Sequence, residues 1–150
     1  RRINMEIDFV NNKYSEEFIR NYIKENDISC YFWKDISQFQ ILSEEFIQEF
    51  KDQVYWRYIY TYQKLGEDFI REFEDKVYWV YVSIYQKLSE EFIREFKHKV
   101  YWTYICKHQI LSINFIDEMI KDDLIKEEYI HYLLENEKIN QEELRSYLSI

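Results

Sequence analysis

Proline and alanine are absent from these 150 residues, and glycine occurs once, at Gly66. Proline and glycine are the strongest punctuators of local structure, so a chain nearly free of them has little room for irregular loops and none for a glycine-rich phosphate cradle. Cysteine occurs only as Cys30 and Cys106. Two thiols make no disulfide framework and their spacing matches no metal or redox motif, which points to a reducing compartment. No apolar run approaches the roughly 18 residues that a membrane span requires. The opening Arg1-Arg2-Ile3-Asn4 has no signal-type apolar stretch. Positive charge is scarce as well, with 20 Lys and Arg against 29 Asp and Glu, a formal net charge of −9. Nucleic acid and anionic membrane both need a basic surface to displace counterions or meet headgroups, so neither is an expected partner.

What is abundant is aromatic, at 20% of the chain, and periodic. Residues 42–64, 65–87 and 88–110 superimpose without a gap, a repeat of 23 residues, and a further start follows at Leu111-Ser112. Phe46, Ile47, Phe50, Val54, Tyr55, Trp56, Tyr58 and Gln63 recur in both later copies, ending in Phe92, Ile93, Phe96, Val100, Tyr101, Trp102, Tyr104 and Gln109. Each copy opens on Leu-Ser-Glu-Glu-Phe-Ile or a close variant. Ser43 suits an N-cap, Glu44 and Glu45 face the positive end of the helix dipole, and Leu42 with Ile47 has the spacing of a hydrophobic staple. Gly66 replaces the serine in the second copy, which a cap position tolerates.

Phe46, Ile47, Phe50 and Val54 predict one apolar stripe along a first helix, helix A. After Val54 the phase changes, and Trp56, Ile59 and Gln63 predict a second, shorter helix B, with Tyr55, Tyr58 and Tyr62 on an adjacent face. Helices this short are marginal in isolation and must be held by neighbours. The expected fold is therefore all-α: a short α-solenoid of two-helix, 23-residue repeats with degenerate capping units at both ends. One domain over 1–150 is expected, with a degenerate repeat at 15–41, regular repeats at 42–64, 65–87 and 88–110, and a degenerate repeat plus C-terminal cap at 111–150. Phe18 to Trp33 is five residues longer than Phe46 to Trp56, and Asn140-Gln141-Glu142-Glu143 reads as a capping box before the last helix.

The string Leu-Ser-Glu-Glu-Phe-Ile-Arg-Glu-Phe-Lys, followed by Lys-Val, an aromatic-rich turn around Trp and then Tyr-Gln-Lys-Leu, resembles repeats in uncharacterised proteins of large DNA viruses of amoebae, of the mimivirus and marseillevirus kinds. The resemblance covers residues 42–110 well and the ends weakly. Members of that family usually carry Asp where this chain has Tyr55, Tyr78 and Tyr101. The resemblance implies a viral source, a setting in the host cytoplasm or the virion, and an α-helical repeat, with no activity attached to particular residues.

Several residue sets invite a functional reading. The Trp and Tyr ladders suit either an inter-repeat core or interface anchors. Glu49, Glu72 and Glu95 recur in helix A, where pairing with Lys or Arg of neighbouring helices is expected rather than acid–base chemistry. Gln63, Gln86 and Gln109 are expected to bond free backbone groups at the turn. His98, Cys106 and His108 are zinc-type ligands, but only the third copy carries them, so no metal or other cofactor is expected. No catalytic residue is assigned. Residues 111–150 hold ten acids against four bases, which reads as a solvated end unit or as a handle for a basic partner. Positions that vary between copies at i, i+3 and i+4 of helix B predict a solvent face, and Arg57, Tyr60, Thr61, Val80, Ile84, Thr103 and Lys107 are the candidate binding residues. The expected function is a non-enzymatic protein–protein interaction scaffold for a host or viral partner, the alternative being a structural or self-assembling virion-associated protein.

Overall fold

A computed structural model describes residues 7–150; the opening Arg1-Arg2-Ile3-Asn4 lies outside the described residues. The fold is all-α, with no strand among the described residues, and successive helices pack against one another. The helices cluster into two compact units, Arg1–Lys76 and Val77–Ile150. A repeat array has no common centre towards which all contacts converge.

The first unit contains α1 (Glu16–Glu25), α2 (Cys30–Phe39), α3 (Glu44–Glu49), α4 (Trp56–Tyr62), α5 (Glu67–Glu72) and a 3-10 turn at Glu74–Lys76. The second contains α6 (Trp79–Tyr85), α7 (Glu90–Glu95), α8 (Trp102–His108), α9 (Ile113–Lys121), a 3-10 turn at Glu127–Tyr129, α10 (Ile130–Glu135) and α11 (Gln141–Leu148). Helices α1, α3, α5, α7 and α9 are the A helices, and α2, α4, α6, α8 and α10 the B helices. Within the units α2 packs on α4, α6 on α8, and α8 on α10.

The helix starts follow the predicted caps. Ser43 Oγ accepts from the Phe46 N–H at 3.1 Å, Ser89 from Phe92 at 3.1 Å and Ser112 from Phe115 at 3.2 Å. Gly66 holds the same cap position with φ −75°, the value also found at Ser43 and Ser89. The staple residues Leu42 and Ile47 are both buried, as are Leu88 and Ile93. The helix ends differ from the expected stripe, because α3 stops at Glu49 instead of continuing to Val54. Phe50 leaves helical geometry at φ −110°, ψ 29°, and its carbonyl then accepts from both Gln53 and Val54 N–H groups, at 2.9 and 3.0 Å. That double acceptance closes a turn that carries the chain onto helix B while keeping Val54 buried. An A helix of six residues is only about 9 Å long.

The core is aromatic and aliphatic. Phe46, Ile47 and Ile59 in the first unit, and Phe92, Ile93, Ile105, Phe115 and Ile116 in the second, are wholly buried. Each Trp of a B helix lies against a Phe of the next A segment. Trp33 meets Phe50 at 5.1 Å between ring centroids and Trp56 meets Phe73 at 5.0 Å, while in the second unit Trp79 meets Phe96 at 4.8 Å. Trp33 and Trp102 are buried, whereas Trp56 and Trp79 are half-exposed at the edge of the core.

Candidate functional site

The polar recurrences are absorbed into connections between consecutive repeats. Gln63, buried at the C-cap of α4, accepts from the Leu42 N–H through Oε1 at 3.0 Å and donates through Nε2 to the Ser37 and Gln40 carbonyls at 3.1 and 2.8 Å. Gln109 does the same in the second unit, accepting from Leu88 at 3.0 Å and donating to Ser83 and Gln86 at 2.9 and 2.8 Å. Those carbonyls are among the last of the preceding B helix, which have no partner within it. The expected turn role of the glutamines is realised and extended: Gln40 clamps Tyr14 N–H and the Phe9 and Asn12 carbonyls, and Asn136 takes the Cys106 and Gln109 carbonyls.

A second connection joins A helices. The carboxylate of the first helical residue accepts from the backbone N–H of the next A-helix cap, Glu16 from Ser43 at 2.5 Å, Glu44 from Gly66 at 2.5 Å and Glu90 from Ser112 at 2.6 Å. Along the middle of the A helices, Arg20 pairs with Glu49 at 2.7 Å, Gln48 donates to Glu72 at 3.0 Å, and Arg94 grips both oxygens of Glu118 at 3.0 Å. The Arg94 guanidinium is held above its usual range chiefly by that Glu118 bond. Glu49 therefore has the basic partner expected of it, whereas Glu72 takes an amide, because Gln48 stands where the third copy has Arg94. These carboxylates cap and cross-link helices.

The candidate binding positions separate into two groups. Arg57 and Lys107 are exposed, and Thr61, Val80, Ile84 and Thr103 are half-exposed. Tyr60 is not on the solvent face: it is wholly buried, with Trp56 at 5.7 Å between ring centroids, and burial, aided by Asp75, drives its phenol far above the ordinary range. Its counterparts Ser37, Ser83 and Cys106 are wholly buried too. Variation at this position reflects alternative ways of filling a core site. Ser37 and Ser83 hydroxyls each donate to the carbonyl of Trp33 or Trp79 at 2.7 Å and accept the N–H of Tyr55 or Tyr101, at 3.0 and 3.1 Å, which caps the following B helix. Sequence inspection missed this role, although the serines' recurrence 46 positions apart, like that of the tyrosine N–H groups they serve, was visible.

With Tyr60 removed, the variable residues form one i, i+4 row on each B helix: Arg57 and Thr61, Val80 and Ile84, Thr103 and Lys107. Beside it runs a near-constant aromatic row. Tyr55, Tyr58 and Tyr62 follow one another at 6.2 and 6.1 Å on α4, Tyr78, Tyr81 and Tyr85 at 6.1 and 6.3 Å on α6, and Tyr101, Tyr104 and His108 at 6.5 and 6.2 Å on α8. Tyr62 and Tyr85 are each 53% exposed. Tyr55, Tyr62, Tyr78, Tyr85 and Tyr101 are exposed, and Tyr58, Tyr81 and Tyr104 are half-exposed. His108 titrates below its usual range, first because it is partly buried and then because Lys107 and Lys138 repel its charged form.

Cys106 is buried, His98 exposed and His108 half-buried, and among the described residues no three His, Cys, Asp or Glu side chains gather as a metal site would require. Among the described residues, no helix is long and apolar enough to cross a membrane. Fold and surface together define an all-α repeat protein of the solenoid type with tyrosine-rich B-helix faces. Comparison of the chain with protein-family models, curated proteins and solved structures finds no match.

Proposed function

We propose that the protein is a non-enzymatic interaction scaffold whose B-helix faces dock a partner protein. The observation that supports this is the pairing of a near-constant tyrosine row with a variable row, Arg57 and Thr61, Val80 and Ile84, Thr103 and Lys107, on the same exposed helix faces. Tyrosine supplies large, rigid, amphipathic contact area, the usual material of interface hot spots, and the neighbouring variable positions discriminate between partners. The recurring carboxylates are engaged in capping and pairing, which favours a structural role for them over catalysis. The partner is viral or host-derived, and the setting is host cytoplasm or virion, on the strength of the repeat resemblance. Affinity purification of the native chain and of a chain with the variable rows of α6 and α8 exchanged tests the idea. Different partner lists are expected, and identical ones would remove the binding role of these rows.

Self-assembly is the second reading, favoured by large apolar side chains left in solvent, Tyr31 at 75%, Ile41 at 79% and Ile150 at 67% exposure. A strict monomer by light scattering at high concentration would eliminate it.

A further inference from the structure

Each A helix carries a phenylalanine three places after its cap, at Phe18, Phe46, Phe69, Phe92 and Phe115. In the later copies the preceding repeat lays a side chain over that ring. The Arg20 guanidinium stands 5.0 Å from the Phe46 ring centroid, Trp56 lies 6.3 Å from Phe69, and in the second unit Trp102 at 6.4 Å and Arg94 at 5.0 Å enclose Phe115. Those rings are buried. Phe18 holds the same position in α1, where Ser15 Oγ accepts its N–H at 3.2 Å, yet it is 37% exposed. Among the described residues its ring neighbours are Tyr14 at 4.8 Å and Tyr22 at 6.4 Å, each only 15° from parallel. The aromatic row runs along a ten-residue helix and is flanked by exposed Glu17, Asn21 and Lys24. Neither Glu17 nor Lys24 has an ion-pair partner among the described residues.

We infer that this α1 face pairs with the same face of a second copy of the chain, the two helices running antiparallel about a two-fold axis near Asn21. The assignment rests on the self-assembly reading, gives it a particular surface, and draws on no residue of the B-helix faces. Two observations select the occupant. The face continues the interface already used between repeats, in which an A-helix Phe is covered by aromatic or cationic side chains. Its charge is also self-complementary. Glu17 and Lys24 lie seven residues apart on one side of α1, a separation of about 10 Å, so an antiparallel pair sets Glu17 of each copy opposite Lys24 of the other. A parallel pair would set like charges together. Glu25 comes opposite Glu16, whose carboxylate is already held by the N–H and hydroxyl of Ser43. Residues 1–41 carry six bases against seven acids, so two copies meet here with little net repulsion, whereas 111–150 hold ten acids against four bases. That other end is closed from within: Gln141 donates to the Leu133 and Asn136 carbonyls at 2.9 Å each, the place that the glutamine of a following repeat would take. An isologous pair of this kind closes at two copies.

The test is sedimentation equilibrium of the full chain at low salt over a concentration series. A dimer is expected, with Phe18→Ser, Glu17→Lys and Lys24→Glu each raising its dissociation constant by about tenfold or more. Mixing Glu17→Lys chains with Lys24→Glu chains is expected to restore association, because both contacts across the axis then join opposite charges. Circular dichroism checks that each variant is folded. Glu17→Gln and Lys24→Gln, each expected to weaken the dimer to a smaller degree, keep the test open if a reversed charge unfolds α1. Association untouched by Phe18→Ser and by the folded charge variants, growth past the dimer, or no recovery on mixing each overturns this surface while leaving the self-assembly reading standing. A strict monomer at every concentration overturns both.

Discussion

Replacing Gln63 with alanine removes three buried hydrogen bonds at once, to the Leu42 N–H and to the Ser37 and Gln40 carbonyls. Gln63 is 5% exposed, so water cannot readily take over those partners. A buried intramolecular hydrogen bond contributes about 1 kcal/mol net, and a donor or acceptor left unsatisfied costs about 1–3 kcal/mol, so a loss of roughly 3 kcal/mol is expected. Measured against a total of about 5–15 kcal/mol for a folded domain, that is a large fraction. Urea unfolding followed by tryptophan fluorescence and far-ultraviolet circular dichroism should show a midpoint lowered by about 1–3 M. Gln63→Glu sharpens the test, because it keeps the acceptor for Leu42 but turns a second acceptor towards two carbonyls. The folded state then resists ionisation, which places the folded pKa above the unfolded value of about 4.3. Stability is therefore retained below the unfolded pKa and lost as pH rises through the folded pKa, so this variant should suffer most at neutral pH and recover in acid. A loss below about 1 kcal/mol for Gln63→Ala, or a pH-independent Gln63→Glu, would refute the clamp as a main connection between repeats.

Gly66→Ser should stabilise the chain by about 0.5–1 kcal/mol, by restoring the cap of the other copies and reducing unfolded-state freedom. A new Cβ would stand 3.2 Å from Glu44 Oε1, the end of a flexible side chain, so a lowered melting temperature would show that Glu44 cannot yield. The two thiols should react very differently. Exposed Cys30 should consume one equivalent of a disulfide reagent quickly near neutral pH, while Cys106, buried and pushed up to about 12, should react only on unfolding. Two equally fast thiols would contradict the buried site. Asp117 is held below the ordinary carboxylate range, first by Lys121 and then by Tyr147. Its contribution is present above its unfolded pKa and disappears as pH falls through the folded one. Asp117→Asn should melt earlier than the native chain at neutral pH, with the difference closing in acid; a difference that persists in acid would assign the effect to something other than charge.

Caps, staples and repeat boundaries were readable because they depend on neighbours a few residues apart, as Ser43 with Phe46 or Leu42 with Ile47 shows. The end of helix A was not, because Val54 keeps the apolar phase of a helix while sitting in a turn. Periodicity reports which side chains are buried, and both geometries bury Val54. The same limit explains Tyr60. Variation between copies suggests exposure, yet a core position filled by Ser37, Tyr60, Ser83 or Cys106 varies just as freely when each occupant satisfies the site differently. The tyrosine rows left both readings open, since an amphipathic ring suits a core edge and an interface equally; exposure at Tyr62 and Tyr85 places them at the surface.

The degenerate first repeat shows what the array requires. Gln40 reaches its three partners at sequence separations of 26, 31 and 28, each five larger than the 21, 26 and 23 of Gln63. The Glu16-to-Ser43 separation of 27 exceeds the Glu44-to-Gly66 separation of 22 by the same five, and the Arg20-to-Glu49 separation of 29 exceeds the Arg94-to-Glu118 separation of 24 likewise. Of the additional residues noted between Phe18 and Trp33, α1 takes up four, with ten residues against six in α3; α2 begins three residues before Trp33, whereas α4 begins at Trp56 itself, and the connection between the two helices is two residues shorter. Three separate sets of contacts thus survive an insertion that displaces all of them equally in sequence. Clamp, cap and ion pair are therefore properties of the stacked geometry, which tolerates a longer helix A but needs a side-chain amide at the end of helix B. Asn136, one methylene shorter, still reaches two carbonyls at 2.8 Å each. Because stacking draws on these positions and on the Trp–Phe contacts, the outward rows of the B helices are left to vary without loss of the clamp, cap and ion pair, which is the freedom that the proposed docking role requires.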